Sequence, residues 1–474
     1  MPGRPTNRGT EVNNQTTISW DMDLIKRYDL SGPRYTSYPT AIQFDSGLSP
    51  EKLIETGRST SDPHAPLSLY VHIPFCAHVC YYCACNKVIT RNRKKAQPYL
   101  DTVYREMAKL SQWYRGDRQV NQLHWGGGTP TFISDDQMRE LMQALRSNFN
   151  LRDDDKGDYS IEIDPREASD QTLAVLREIG FNRISLGVQD VDARVQEAVN
   201  RVQPTEMTAR VLQRSRELGF KSINMDLIYG LPHQSEESFA DTLDTVIAMS
   251  PDRLSVFNYA HLPDRFRSQK HIRAEDLPSP ETKLNILQNS INRLLEAGYV
   301  YIGMDHFAKP DDELALAQAE GKLHRNFQGY TTHSDCDLVA MGVSAISQIG
   351  DVYYQNEHDI AAYSQAVAQQ QHAVKRGVTL SRDDHIRRAV ITELICQFEL
   401  DVAAVEQRFD IQFGDYFNAE QTELQQFSTD GLIELSSSRI RVTAAGRLLI
   451  RRICMAFDAY IPKHEATRSF SRII

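Results

Sequence analysis

Residues 70–86 read YVHIPFCAHVCYYCACN, and four of the chain's seven cysteines, Cys76, Cys80, Cys83 and Cys85, fall inside this run. It follows directly on a β-like stretch over 67–73. A C-x3-C-x2-C triplet on one loop can put three thiolates at three corners of an iron–sulfur cube, leaving the fourth iron without a protein ligand. An open metal position allows substrate chemistry, whereas a closed four-thiolate site is usually structural. The spacing by itself also admits a zinc site or redox dithiols.

Outward from the loop, short β-like runs at 67–73, 122–125, 159–163, 183–188, 222–228, 253–258 and 299–304 alternate with helical patterns. In one of these, Met138, Leu141, Met142 and Leu145 recur at three and four. Such alternation predicts an α/β fold, a parallel sheet wound in βα units. The strands have two chemical faces. Leu67, Leu69, Val71 and Ile73 oppose Ser68, Tyr70 and His72. Tyr159, Ile161 and Ile163 oppose Ser160, Glu162 and Asp164; Ile223, Met225 and Leu227 oppose Ser222, Asn224 and Asp226. A parallel sheet covered by helices on both faces would read as continuous Val, Ile and Leu. Buried polar groups need partners, so the repeated polar face predicts a barrel lumen filled by polar ligands. A half-solvated antiparallel sheet is the alternative, and the helical connections oppose it.

The expected organisation is a polar disordered tail over 1–20, an N-terminal arm and helix over 21–65, and a partial (β/α) TIM-like barrel over 66–310. A segment over 311–375 completes or covers the barrel, and a mainly helical cap occupies 376–474. In that cap a helix at 382–400, a strand–turn–strand across 427–442 and a helix from 444 to about 460 resemble a winged helix. The formal net charge of −10 opposes nucleic-acid binding. No segment approaches the roughly 18 apolar residues needed to span a membrane. Met1–Thr17 has no apolar core, so it does not read as a secretory signal. A cytoplasmic location is expected, where clustered cysteines mean metal or redox chemistry more often than disulfides. Cys336, Cys396 and Cys454 are isolated and read as small inert residues.

Two further features bear on chemistry. Gly126-Gly127-Gly128-Thr129-Pro130 ends the second strand, at the active end of such a barrel, where residues without side chains let backbone amides approach a ligand. Arg34 lies in the aromatic arm Gly32–Pro39. Its guanidinium could hold a ligand carboxylate bidentately, or simply pair with an acid of the chain.

The cysteine loop after the first strand resembles that of the radical S-adenosylmethionine (SAM) superfamily. Within it, residues 20–474 resemble the oxygen-independent coproporphyrinogen III oxidases. The matching stretches are 32–39, 70–76, the C-x-C ending at Cys85, 125–130, 162–167, 224–232, 257–263, 324–332 and 341–347. The resemblance implies a 4Fe–4S cluster held by Cys76, Cys80 and Cys83, with SAM chelating the open iron. It further implies two SAM molecules. Tyr70, Gly127, Glu162 and Ile346 would contact the cluster-bound one; Tyr82, Gly128, Thr129, Gln189, Arg201, Asp226 and Ala260 would contact the second. Tyr70, His72 and Cys85 are the expected catalytic residues, the first two near the cluster or in proton handling, and Arg34 is the expected substrate contact. The implied reaction begins with a 5′-deoxyadenosyl radical, which removes hydrogen from a propionate β-carbon. Loss of CO2 and one further electron then leaves a vinyl group, twice over, giving protoporphyrinogen IX. A flavodoxin or ferredoxin is the expected electron donor and a monomer the expected state, with no nucleic-acid or membrane partner. A related haem-binding chaperone is the alternative. Such relatives typically lack the fourth cysteine, which is present here as Cys85.

Overall fold

The computed structural model describes residues 18–461, apart from Arg115 and Gln371. Six parallel strands lie side by side in chain order: β1 (Leu67–Ile73), β2 (Gln119–Gly127), β3 (Asp158–Ile163), β4 (Arg183–Gln189), β5 (Ser222–Tyr229) and β6 (Arg253–Asn258). Helices Ala96–Tyr114, Asp135–Asn148, Asp170–Glu178, Thr205–Glu217 and Glu236–Met249 connect them. Parallel neighbours require such crossovers. The helix starts are encoded locally: Ser134 and Gln137 form a reciprocal cap, as do Ser235 and Ser238. Met138, Leu141, Met142 and Leu145 then face the core.

The two-faced reading of the strands holds. In β3, Tyr159, Ile161 and Ile163 are buried under helices while Ser160 and Glu162 are only half-buried. In β5, Ile223, Met225 and Leu227 are buried while Asn224 and Asp226 face the lumen, half-buried. The lumen is therefore lined by polar side chains.

The sheet edges differ from the expectation. Residues 299–304 do not add a parallel strand. β7 (Val300–Gly303) turns back through Met304, at φ +57°, into β8 (His306–Ala308), which runs antiparallel to β6. On the other side of β1 lies β9 (Asp337–Met341), parallel to it. β10 (Ile346–Ile349), β11 (Val352–Asn356) and β12 (Val374–Thr379) follow, antiparallel. The sheet thus runs past residue 375, and the helical region begins at Arg382. These four strands are short and, apart from the helix Ile360–Gln370, joined without helices, so they lack the βα rhythm that marks the others. A hairpin, His324–Asn326 with Gly329–Thr331, reaches the lumen, where Gln122 Nε2 donates to Thr331 Oγ1 at 3.2 Å.

At the N-terminus, Ile18 and Trp20 pack on the core. They belong to the fold, whereas the rest of the expected polar tail lies outside the described residues. Tyr35 and Tyr38 are buried against the C-terminal region, as an aromatic arm requires. Tyr35 Oη donates to Asp458 at 2.9 Å, and Tyr38 Oη accepts the Ala459 N–H at 3.0 Å. In the C-terminal region, helix Arg382–Gln397 stops earlier than expected because Phe398 turns to φ +56°. Strands Glu399–Asp401, Ile433–Leu435 and Arg439–Val442 form a three-stranded sheet. Phe427 belongs to helix Gln421–Thr429, and the last described helix is only Ile450–Met455. The result is winged-helix-like, with one more strand than the sequence reading had.

Candidate active site at the cysteine loop

The loop after β1 crosses the C-terminal mouth of the barrel, pinned through its backbone. Val79 O accepts from Asn200 Nδ2 at 2.7 Å, Tyr81 N–H donates to Val199 O at 3.0 Å, and Cys83 O accepts from Ser268 Oγ at 2.8 Å. Cys76 is buried and accepts from Thr129 Oγ1 at 3.5 Å; burial pushes its thiol up to about 11. Cys80 Sγ faces two guanidinium groups, Arg201 Nη1 at 3.4 Å and Arg166 Nη2 at 3.6 Å. A hydrogen bond from Cys85 is the main cause holding Cys83 below the ordinary thiol range.

Tetrahedral Zn–S bonds of about 2.3 Å would hold thiolates roughly 3.8 Å apart. Among the described residues, the only three His, Cys, Asp or Glu ligand atoms within 4.8 Å of one another belong to His333, Asp335 and Cys336, not to the loop. Thiolates that each bind a different iron of a cube need not converge on one point. Among the described residues, the loop's thiolates are therefore not gathered for a single zinc ion, and nothing in their placement opposes an iron–sulfur cluster.

Tyr70, His72, Cys85, Gly127, Glu162 and Ile346 line one cavity of about 290 Å³ beside the loop. His72 Nε2 lies 3.1 Å from Asn86 O, and a carbonyl only accepts, so Nε2 carries the proton. Nδ1, 3.1 Å from Tyr70 Oη, then accepts the phenol hydrogen. Burial lowers the His72 pKa, so the ring is neutral. Tyr70 stacks on His124 at 5.8 Å and 13°. His124 contacts Ser160 Oγ at 2.7 Å and Glu162 Oε1 at 3.4 Å, while Gly127 N–H donates to Glu162 Oε2 at 3.1 Å. Burial alone would raise the Glu162 pKa, but the bonds from His124 and Gly127 hold it below the ordinary range. A fixed carboxylate thus opens to the cavity, suited to an ammonium group.

The glycine turn also makes room for its protein neighbours. A Cβ on Gly126 would stand 2.9 Å from Glu162 Oε1, and one on Gly127 would stand 2.7 Å from the His72 ring. On Gly128 it would stand 2.8 Å from Phe75 O. The turn lacks side chains so that Glu162, His72 and the end of β1 can close in. The amides of Gly128 and Thr129 are already engaged, donating to Ile73 O and Phe75 O at 2.8 Å each.

The second set of residues gathers in smaller groups. Arg201 is buried and donates to Gly187 O at 2.6 Å and Asp164 Oδ2 at 3.0 Å, and a Cβ on Gly187 would meet both Arg201 Nη2 and Gln189 Nε2 at 2.9 Å. Burial would raise Asp164, but Arg201 and Arg166 bring it to about 2. Gln269 Nε2 donates to both Tyr82 O (2.9 Å) and Ala260 O (3.2 Å). Asp226 accepts from Asn224 Nδ2 at 2.8 Å and Ser185 Oγ at 2.9 Å, and burial raises its pKa. Arg34 forms a close ion pair with Asp305 and lies 5.8 Å from the Phe257 ring centre. The acid pairing, one of its two expected readings, is present.

Residues of the site not singled out from sequence include Asn86, His124, Phe327 and Gln328. His124 lies on the polar face of β2, so strand alternation could have found it. Phe327 and Gln328 enter the cavity from the 324–331 hairpin, for which the sequence has no strong strand pattern.

The fold and loop define the class: residues 70–246 match the family model described as the Radical SAM superfamily. Residues 380–449 match the HemN C-terminal domain. The oxygen-independent coproporphyrinogen III oxidase of Pseudomonas aeruginosa is 58% identical over 458 residues, covering 97% of this chain and 99% of that protein. That of Escherichia coli is 52% identical, covering 96% and 99%. A solved structure of coproporphyrinogen III oxidase (HemN) from Escherichia coli superposes with a TM-score of 0.89 at 51% identity, covering 94% of this chain and all of that one. The chain belongs to the oxygen-independent coproporphyrinogen III oxidases.

Proposed function

We propose that the chain oxidatively decarboxylates two propionate side chains of coproporphyrinogen III to vinyl groups without oxygen, giving protoporphyrinogen IX. Its family membership supports this. The observation that carries it is the convergence of Tyr70, His72, Cys85, Gly127, Glu162 and Ile346 on one cavity beside the cysteine loop. Cys76, Cys80 and Cys83 would hold a 4Fe–4S cluster, with SAM bound beside it. Bound together, cluster and SAM would supply the radical chemistry that oxidative decarboxylation of a propionate requires.

The protein's own part is to bind, orient and exclude water. Glu162 offers its charge to the SAM ammonium, with Gly127 N–H fixing the carboxylate. Asn86 and His72 orient the Tyr70 phenol. Cys85 faces the same cavity and serves turnover, not cluster retention. The second SAM lies toward Tyr82, Gly128, Thr129, Gln189, Arg201, Asp226 and Ala260, with the buried Arg201 setting its end of the site. A reduced flavodoxin or ferredoxin supplies electrons to a monomer in the cytoplasm. No helix among the described residues is long and apolar enough to cross a membrane. The haem-chaperone reading is weaker because its relatives typically lack a cysteine at the position of Cys85.

Anaerobic incubation of the reconstituted protein with SAM, reductant and coproporphyrinogen III tests the reading by product analysis. Vinyl products together with 5′-deoxyadenosine are expected. 5′-Deoxyadenosine without vinyl product would remove the substrate assignment and leave the radical chemistry standing.

A further inference from the structure

A second cavity, about 800 Å³, lies between the arm at Tyr35–Tyr38, the start of the 324–331 hairpin and helix Arg382–Gln397. It adjoins the catalytic cavity through shared elements. On the hairpin, Arg325 lines the larger cavity while Phe327 and Gln328 line the smaller. On β10, Ile346 lines the smaller and Gln348 the larger, and residues two apart in a strand share a face.

Arg325 is 7% exposed, and its Nε and Nη1 have no hydrogen-bond partner among the described residues. Its guanidinium lies 4.6 Å from the Tyr330 ring centre. Arg34 and Arg451 stand near enough to act on it electrostatically: burial, then Arg451 and Arg325 in that order, together bring Arg34 down to about 9, and Arg325 also lowers Arg451. Arg34 has Asp305 as its anion. Across the cavity Arg388 contributes another cation, which donates to Tyr353 Oη at 3.0 Å. A buried cation with open donors is costly unless an anion completes it, and a guanidinium fork matches a carboxylate.

We propose that this cavity holds carboxylates of coproporphyrinogen III other than the reacting one, with Arg325 as their anchoring residue. The proposal rests on the activity given above. It assigns the anchor to Arg325 because Arg34 is already paired.

The test compares wild-type and Arg325→Gln holoenzyme. Arg325→Gln is expected to raise KM for coproporphyrinogen III about tenfold or more with kcat changed less than about threefold, the pattern of lost binding common to ground and transition states. Iron content and SAM affinity should not change. Equilibrium titration with coproporphyrin III and its tetramethyl ester is the second readout. Wild type should prefer the tetra-acid, and Arg325→Gln should lose most of that preference. An unchanged KM, or an unchanged preference for the acid, overturns the proposal. If Arg325→Gln does not fold, Arg325→Lys, which keeps the charge and loses the fork, should still raise KM several-fold, and a wild-type KM there overturns it equally. A wild type that prefers the tetra-acid yet forms no vinyl product refutes the activity and not the site.

Discussion

Glu162 on β3 accepts the Gly127 N–H of β2 at 3.1 Å, so the carboxylate facing the cavity is held by the same turn whose missing side chain admits His72. Charge and shape at the site are therefore set by one contact between neighbouring parallel strands.

Glu162→Gln keeps the shape and removes the charge. SAM affinity should fall about tenfold or more, as expected for loss of a charge-assisted hydrogen bond, while iron per chain stays at the wild-type value. Equilibrium SAM binding to the reconstituted protein measures this, and wild-type affinity would contradict the assigned role.

Gly127→Ala should damage turnover more than cluster content. Gly127 sits at φ +118°, and its added Cβ would meet the His72 ring at 2.7 Å. The strained backbone costs about 1–3 kcal/mol, and the displaced imidazole no longer orients Tyr70. Denaturant unfolding reads the first effect and product formation the second. Wild-type values in both would show that the turn tolerates a side chain.

Cys85→Ser should retain iron and lose vinyl product, whereas Cys76→Ala, Cys80→Ala and Cys83→Ala should each lose iron. Iron analysis beside product analysis separates the two classes. A Cys85→Ser protein without iron would make Cys85 part of the cluster's support.

Arg201→Leu should destabilise the fold by about 3–5 kcal/mol, because it leaves the buried Asp164 carboxylate with Arg166 alone. Adding Asp164→Asn should recover part of that loss, since it removes the unpaired charge. Urea unfolding of the single and double variants checks the coupling, and additive losses would rule it out.

His324 gives a pH signature. Burial, reinforced by Arg388, lowers its folded pKa from 6.5 to about 4. A depressed folded pKa contributes stability that is full above the unfolded value and lost as pH falls, here from about 6.5 through 4. The melting temperature of His324→Gln should fall less than that of wild type between pH 7 and pH 4. Equal falls would assign the acid sensitivity to other groups.

The parallel strands were legible because their signals are local. Alternation along Leu67–Ile73, Tyr159–Ile163 and Ser222–Leu227 separates a helix-covered face from a lumen face, and amphipathic helices fill the gaps. A segment completing or covering the barrel over 311–375 was expected, but its strands were not legible one by one, since Ile346–Ile349 and Val352–Asn356 are short and follow one another through a tight turn. The residues of the catalytic cavity were legible as individual polar positions and through the family's motifs. Phe327 and Gln328 lie in the family-matching stretch 324–332 but were not marked as strand or lining positions, because a hairpin turn carries no periodic pattern.

The sequence by itself determined the cysteine spacing, the βα rhythm and the polar lumen face, because each is written in residues close together along the chain. Tertiary structure alone decided that the glycines make room for His72 and Glu162, and that Arg34 is paired while Arg325 keeps open donors. Those relations join residues tens to hundreds of positions apart. They depend on which strands become neighbours and on which buried charges find partners, and no local pattern encodes either.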